Sequence, residues 1–110
     1  MPLSTHVLDL AGGVPASDLA VSLFRIDGDA RPHVASALTD ANGRIAAPFG
    51  GNLAEGVYEL IFSVGDYYAQ QSTGAFYADV PVRFRIDDAA ANYHVPLLLS
   101  PWGYSTYRGS

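Results

Sequence analysis

Apolar and polar residues alternate in short runs along most of this chain, and clusters of Gly, Pro, Asn and Asp break the runs at close intervals. Alternation of that kind gives a strand one buried face, and its repetition predicts an all-β sandwich or barrel of about eight strands. The first strand covers roughly Thr5 to Leu10 and stops at Gly12-Gly13 and Pro15; the second runs from Ala20 to Ile26, before Asp27-Gly28-Asp29. A third, about Val34 to Leu38, leads to Asp40-Ala41-Asn42-Gly43, where Asn-Gly accepts the positive φ angles of a tight turn. Arg44 to Ala46 makes a short fourth strand, and Val57 to Val64 is apolar enough to be buried over most of its length. Between Gly65 and Ser72 the pattern changes: Tyr67-Tyr68-Ala69-Gln70-Gln71 lacks β-branched residues and Asp66 is a candidate N-cap, so one short helix is expected. Strands resume at about Val80 to Ile86, Asn92 to Leu99 and Gly103 to Tyr107. No repeat, low-complexity tract or linker divides the chain.

Composition narrows the class. With 110 residues there is room for one core, so residues 1–110 form a single domain. Hydrophobic residues make up 49% and charged residues 15%, which points to surface covered by something other than water, and oligomerisation is the ordinary reason. A net charge of -5 without any lysine leaves no basic stripe for a phosphate backbone or an anionic membrane. Zero cysteines remove disulfides and thiolate chemistry. The longest apolar run, Val95-Pro96-Leu97-Leu98-Leu99, is far short of the ~20 residues needed to span a bilayer. No leader pattern precedes the first strand, so a cytoplasmic protein is expected.

Three histidines, six arginines and the tetrapeptide Tyr107-Arg108-Gly109-Ser110 are the candidates for chemistry. A lone His on a half-buried strand is usually structural. Taken together, the period of two puts His6 with Leu8 and Leu10 on one face, and His94 with Pro96 and Leu98 on another. If those strands are neighbours, the two imidazoles share a sheet, and Ser105 and Tyr107 of the last strand could join them. A metal site is weakly signalled: no His pair has ligand spacing and Asp9 and Asp79 would have to converge by folding, so no metal or other cofactor is expected. There is no Gly-x-Ser-x-Gly elbow for a nucleophilic serine. His33, in a turn-rich stretch, is read as exposed and inert.

At this point the chain resembles the 5-hydroxyisourate hydrolases of the transthyretin-like family over essentially its whole length. The resemblance rests on Leu3-Ser4-Thr5-His6-Val7-Leu8-Asp9 with Gly13-Val14-Pro15-Ala16, and on Thr39-Asp40-Ala41-Asn42-Gly43-Arg44. It rests equally on Tyr93-His94-Val95-Pro96-Leu97-Leu98-Leu99-Ser100-Pro101, followed by Gly103 to Ser110. The resemblance implies a transthyretin-like (prealbumin-like) two-sheet β-sandwich that hydrolyses 5-hydroxyisourate to 2-oxo-4-hydroxy-4-carboxy-5-ureidoimidazoline in uric acid breakdown. It implies catalytic roles for His6, Arg44, His94 and Ser110, and substrate contacts from His6, Arg44, Tyr107, Arg108 and Gly109. In that reading one imidazole activates water while the other orients it or the substrate, and Arg44 binds the oxygen-rich ring. Which His is the base stays open. The terminal residues are expected to turn toward the substrate, with Gly109 permitting the bend. The resemblance further implies a homotetramer, a dimer of dimers with sites in a channel between dimers. Two other readings compete: a transthyretin-like carrier of small molecules without catalysis, and a structural β-sandwich module.

Overall fold

The computed structural model describes residues 3–110. Among the described residues, nine strands form two sheets: β1 (Leu3–Asp9), β2 (Val14–Pro15), β3 (Ala20–Ile26), β4 (His33–Leu38), β5 (Arg44–Ile45), β6 (Gly56–Phe62), β7 (Val80–Ile86), β8 (Tyr93–Ser100) and β9 (Gly103–Thr106). A helix, α1 (Val64–Ala69), follows β6. The first sheet has the order β2-β1-β8-β9 with β5 also paired to β1, and the second has the order β4-β3-β6-β7. The all-β sandwich with one short helix is thus as expected, with β2 as an additional two-residue strand. Its Pro15 lies against Leu8 of β1, at the side of the sheet where a missing N–H costs little.

Alternation decides what each face holds. In β1, Leu3, Thr5, Val7 and Asp9 are buried, while Ser4, His6 and Leu8 look outward and are half-buried. In β8, Tyr93, Val95, Leu97 and Leu99 point into the sandwich. They meet Val21 and Leu23 of β3, Tyr58, Leu60 and Phe62 of β6, and Val80 and Ile86 of β7, which form the core with them. Each such aliphatic or aromatic side chain, moved from water to the core, contributes about 1.5–3 kcal/mol.

Two buried polar groups are fixed by hydrogen bonds rather than by counter-charges. Thr39 donates its hydroxyl to the Ala16 carbonyl at 2.6 Å and accepts the Leu19 N–H at 2.9 Å. Asp9 accepts the Tyr67 hydroxyl at 2.9 Å, the Tyr68 hydroxyl at 3.0 Å and the N–H groups of Ala11 and Gly12 at 3.0 and 3.3 Å. Those donors replace the water a carboxylate loses on burial. Burial, with the carboxylate as a further cause, pushes both phenols above the usual tyrosine range.

The same contact explains the helix. Asp66 is not the N-cap expected from sequence: the cap position is Ser63, whose side chain makes no capping bond, and Asp66 lies in the first turn. What pins α1 is the pair of tyrosines on Asp9 and the burial of Val64, so tertiary packing sets its start. Among the described residues, no helix is long and apolar enough to cross a membrane.

Gly43 joins fold to site. Its φ is +75°, and a Cβ there would lie 2.4 Å from the Val7 carbonyl oxygen and 3.1 Å from Cβ of Pro15. Its own carbonyl accepts the Val7 N–H at 2.8 Å, so the turn lies flat on β1. Gly43→Ala is expected to cost about 2 kcal/mol or more, from backbone strain and the lost close approach. Denaturant unfolding at unchanged m-value measures it; a loss below about 0.5 kcal/mol would show that the turn yields freely.

Candidate active site

The parallel pairing of β1 with β8 sets Ser4 opposite His94 and His6 opposite Pro96. On the other side of β1, the antiparallel β5 sets Arg44 opposite His6. Three neighbouring strands therefore carry Ser4, His6, His94 and Arg44 to one region of the first sheet. The turn before Arg44 is fixed by Asp40, whose Oδ1 accepts the N–H of Asn42 at 2.8 Å and of Arg44 at 3.0 Å. The Arg44 N–H is the largest cause holding the Asp40 carboxyl below its usual range. Slight burial opposes it, and the Asn42 N–H and the charges of Arg44 and His6 add to it.

Between these strands lies a cavity of about 430 Å³ lined by Ser4, Arg44, Ala47, Asn92, Tyr93, His94 and Ser110. The Nδ1 atom of His94 is 2.8 Å from the Ser4 hydroxyl. Burial is the main cause that pushes the His94 imidazole below the usual value of 6.5; the nearby positive charges of Arg44 and His6 add to it, and a hydrogen bond to the Ser4 backbone works against them. His6 is not among the cavity's lining residues. It stands beside Arg44, close enough for its charge to act on His94.

The tail reaches this cavity by an interrupted ladder. Leu97 pairs with Thr106, and in the same register an isolated bridge joins His94 to Gly109, whose N–H donates to the His94 carbonyl at 2.7 Å. That register would place Tyr107 opposite Pro96, which has no N–H to offer, and β9 ends at Thr106. Tyr107 leaves the ladder, so the expectation that it continues the face of Ser105 and His94 is corrected. Tyr107 and Arg108 instead line a separate cavity of about 150 Å³ with Val82, Phe84, Tyr93 and Val95. Arg108 sits 4.3 Å from the centre of the Tyr93 ring and donates to the Asn92 carbonyl at 3.3 Å. The role of Gly109 also differs from expectation. Its backbone is not in the left-handed region; glycine is required because a Cβ would lie 2.6 Å from Cδ2 of His94.

Of the residues singled out in the sequence, Arg44, His94 and Ser110 share the main cavity, His6 flanks it, Gly109 packs on the His94 ring, and Arg108 and Tyr107 lie next to it. Ser105 is paired with Leu98, farther along the sheet. His33 is exposed on the other sheet, with Nε2 2.7 Å from the Ser36 hydroxyl and its ring edge-on to Phe24. Asp9 points into the core toward the tyrosines, away from the histidines. Ser4 escaped the sequence reading; its one signal was a position two residues before His6, on the same face.

The fold and the cleft define a transthyretin-like sandwich with a polar site on one sheet. The profile of the HIUase/Transthyretin family matches residues 3–109, and the chain belongs to that family. It is 50% identical over 114 residues to 5-hydroxyisourate hydrolase 2 of Rhizobium meliloti (strain 1021), covering 98% of this chain and 95% of that protein. The 5-hydroxyisourate hydrolase of Ralstonia nicotianae is also 50% identical, covering 98% of this chain and 97% of that one. Among solved structures, the 5-hydroxyisourate hydrolase of Klebsiella pneumoniae superposes with a TM-score of 0.89 at 37% identity, covering 99% of this chain and 98% of that one.

A neutral imidazole next to a permanent cation can take a proton from water while the guanidinium stabilises negative charge on a carbonyl oxygen. The depressed pKa keeps His94 able to do so at pH values below 6.5. For linkage, an imidazole with a folded pKa below its unfolded value binds fewer protons folded than unfolded. Its contribution to stability is therefore full above about 6.5 and is lost as pH falls through the folded value. A proton NMR titration is expected to give His94 a midpoint below 6.5, and a midpoint at or above 6.5 would contradict the electrostatic picture.

Proposed function

We propose that this chain hydrolyses 5-hydroxyisourate, the substrate in the names of its relatives, as a metal-independent cyclic amide hydrolase of purine breakdown. The observation that carries this reading is the convergence of His94, Arg44 and Ser110 on one cavity, with His6 at its side. Water adds to a ring carbonyl carbon while an imidazole takes its proton, the imidazolium returns that proton to the ring nitrogen as the C–N bond breaks, and the six-membered ring opens to a carboxylate and a ureido group. Arg44 offers two parallel N–H donors to the ring oxygens, a task for which a planar fork is suited and an ammonium is not. Ser110 places polar atoms on the same cavity. Arg108 and Gly109 serve it through Tyr93 and His94, and Tyr107 closes the neighbouring apolar cavity.

Assembly belongs to the same reading. The outward face of β1 and β8 holds half-buried Leu8 and Leu98, and next to it Leu10 and Val14 are 59% and 51% exposed. A shallow cavity of about 240 Å³ runs along Leu8, Leu10, Val14 and Pro15. Covering this face with further copies of the chain, as a homotetramer of two dimers, would remove its apolar surface from water and narrow the cleft into a channel.

The direct test generates 5-hydroxyisourate in situ from urate and follows its absorbance. Wild-type protein is expected to accelerate the decay, and His6→Ala or His94→Ala to lower turnover by on the order of 10²–10⁴. Arg44→Lys is expected to be nearly as harmful as Arg44→Ala. Decay at the spontaneous rate, with the compound bound but unchanged, would favour a carrier instead. For the assembly, light scattering of Leu10→Asp at equal concentration is expected to show a smaller particle than wild type; a wild-type monomer would remove the tetramer.

A further inference from the structure

The hydroxyl of Ser4 lies 2.8 Å from Nδ1 of His94, and Ser4 lines the cavity that His94 also lines. The parallel register makes this pairing a property of the sheet, since Ser4 and His94 are direct neighbours across the β1–β8 ladder. On the Cδ2 side of the ring, Gly109 is close enough to exclude a methyl group. The imidazole is thus held on two sides, and Nε2 is the ring nitrogen left to a bound molecule.

A hydroxyl can donate or accept, so the 2.8 Å contact by itself fits either tautomer. The cavity breaks the tie: with Nδ1 taken by Ser4, Nε2 is the nitrogen left to a molecule bound there, and it can take a proton only if it carries none. We infer that Ser4 is a positioning residue, whose hydroxyl oxygen accepts from Nδ1–H of His94, holds the ring in that tautomer and leaves the Nε2 lone pair to act as the base. The Ser4 hydroxyl hydrogen is then free to donate into the cavity. This inference rests on the hydrolase reading, but the tautomer itself is a property of the resting protein and is measured without substrate.

Long-range ¹H–¹⁵N correlation spectra, recorded above the His94 titration, report which ring nitrogen carries hydrogen. Wild-type protein is expected to show Nδ1–H with a bare Nε2; Nε2–H as the dominant form would overturn the inference. Ser4→Ala removes the acceptor at Nδ1 and is expected to give a mixture of tautomers. Its kcat should fall roughly ten- to hundredfold, the scale for orienting partners of imidazoles, with a smaller change in KM. Ser4→Thr, which keeps the hydroxyl, is expected to restore both. A fall in kcat without a change in tautomer, or no change in either, would overturn the positioning role of the hydroxyl. Failure of wild-type protein to hydrolyse 5-hydroxyisourate would instead reject the functional reading and leave the spectroscopic result standing.

Discussion

The parallel pairing of β1 with β8 is the contact on which the site depends. It fixes Ser4 against His94 and His6 against Pro96. Parallel strands need a long connection, and here the whole second sheet and the helix lie between the two partners in sequence. A slip of one residue would turn Ser4 and His6 inward and expose Val7 and Asp9, so the buried face protects the register of the polar one. The Thr5 hydroxyl, donating to the Val95 carbonyl at 2.6 Å, ties the same pair from the core side.

A second strand-level constraint adds the cation. Gly43 brings its turn onto β1 closely enough to exclude any side chain, and Asp40 binds the N–H of Arg44. The guanidinium is therefore carried on the edge of a packed sheet rather than on a long loop. In a chain with a net charge of -5, this leaves a local concentration of positive charge from Arg44 with neutral, proton-accepting imidazole beside it. That combination suits an oxygen-rich ring whose carbonyl gains negative charge during attack.

Much of this was legible from residue order. The period of two put His6 on an outward face with Leu8, the Asn42-Gly43 turn placed Arg44, and the missing β-branched residues marked the helix. Other features were not, because they depend on long-range partners. Asp66 looked like a cap, but buried tyrosines on Asp9 decide where the helix starts. The strand pattern through Tyr107 was sound locally, yet Pro96 on the neighbouring strand interrupts the ladder there. Ser4, two residues before His6 on the same face, could not be tied to His94 until the register with β8 was known, and Gly109 read as a bend because its contact with the His94 ring lies fifteen positions away in the chain.

The central claim is that this register-built cleft is where the substrate is opened. A crystal structure with a purine-dione analogue that cannot be hydrolysed tests it most directly. The account predicts the analogue in the cavity between Arg44, His94 and Ser110, with a ring oxygen within about 3 Å of the guanidinium and Nε2 of His94 facing a ring carbonyl. An analogue seated between Val82 and Tyr107, or against Phe24 and Arg31 on the opposite sheet, would contradict it.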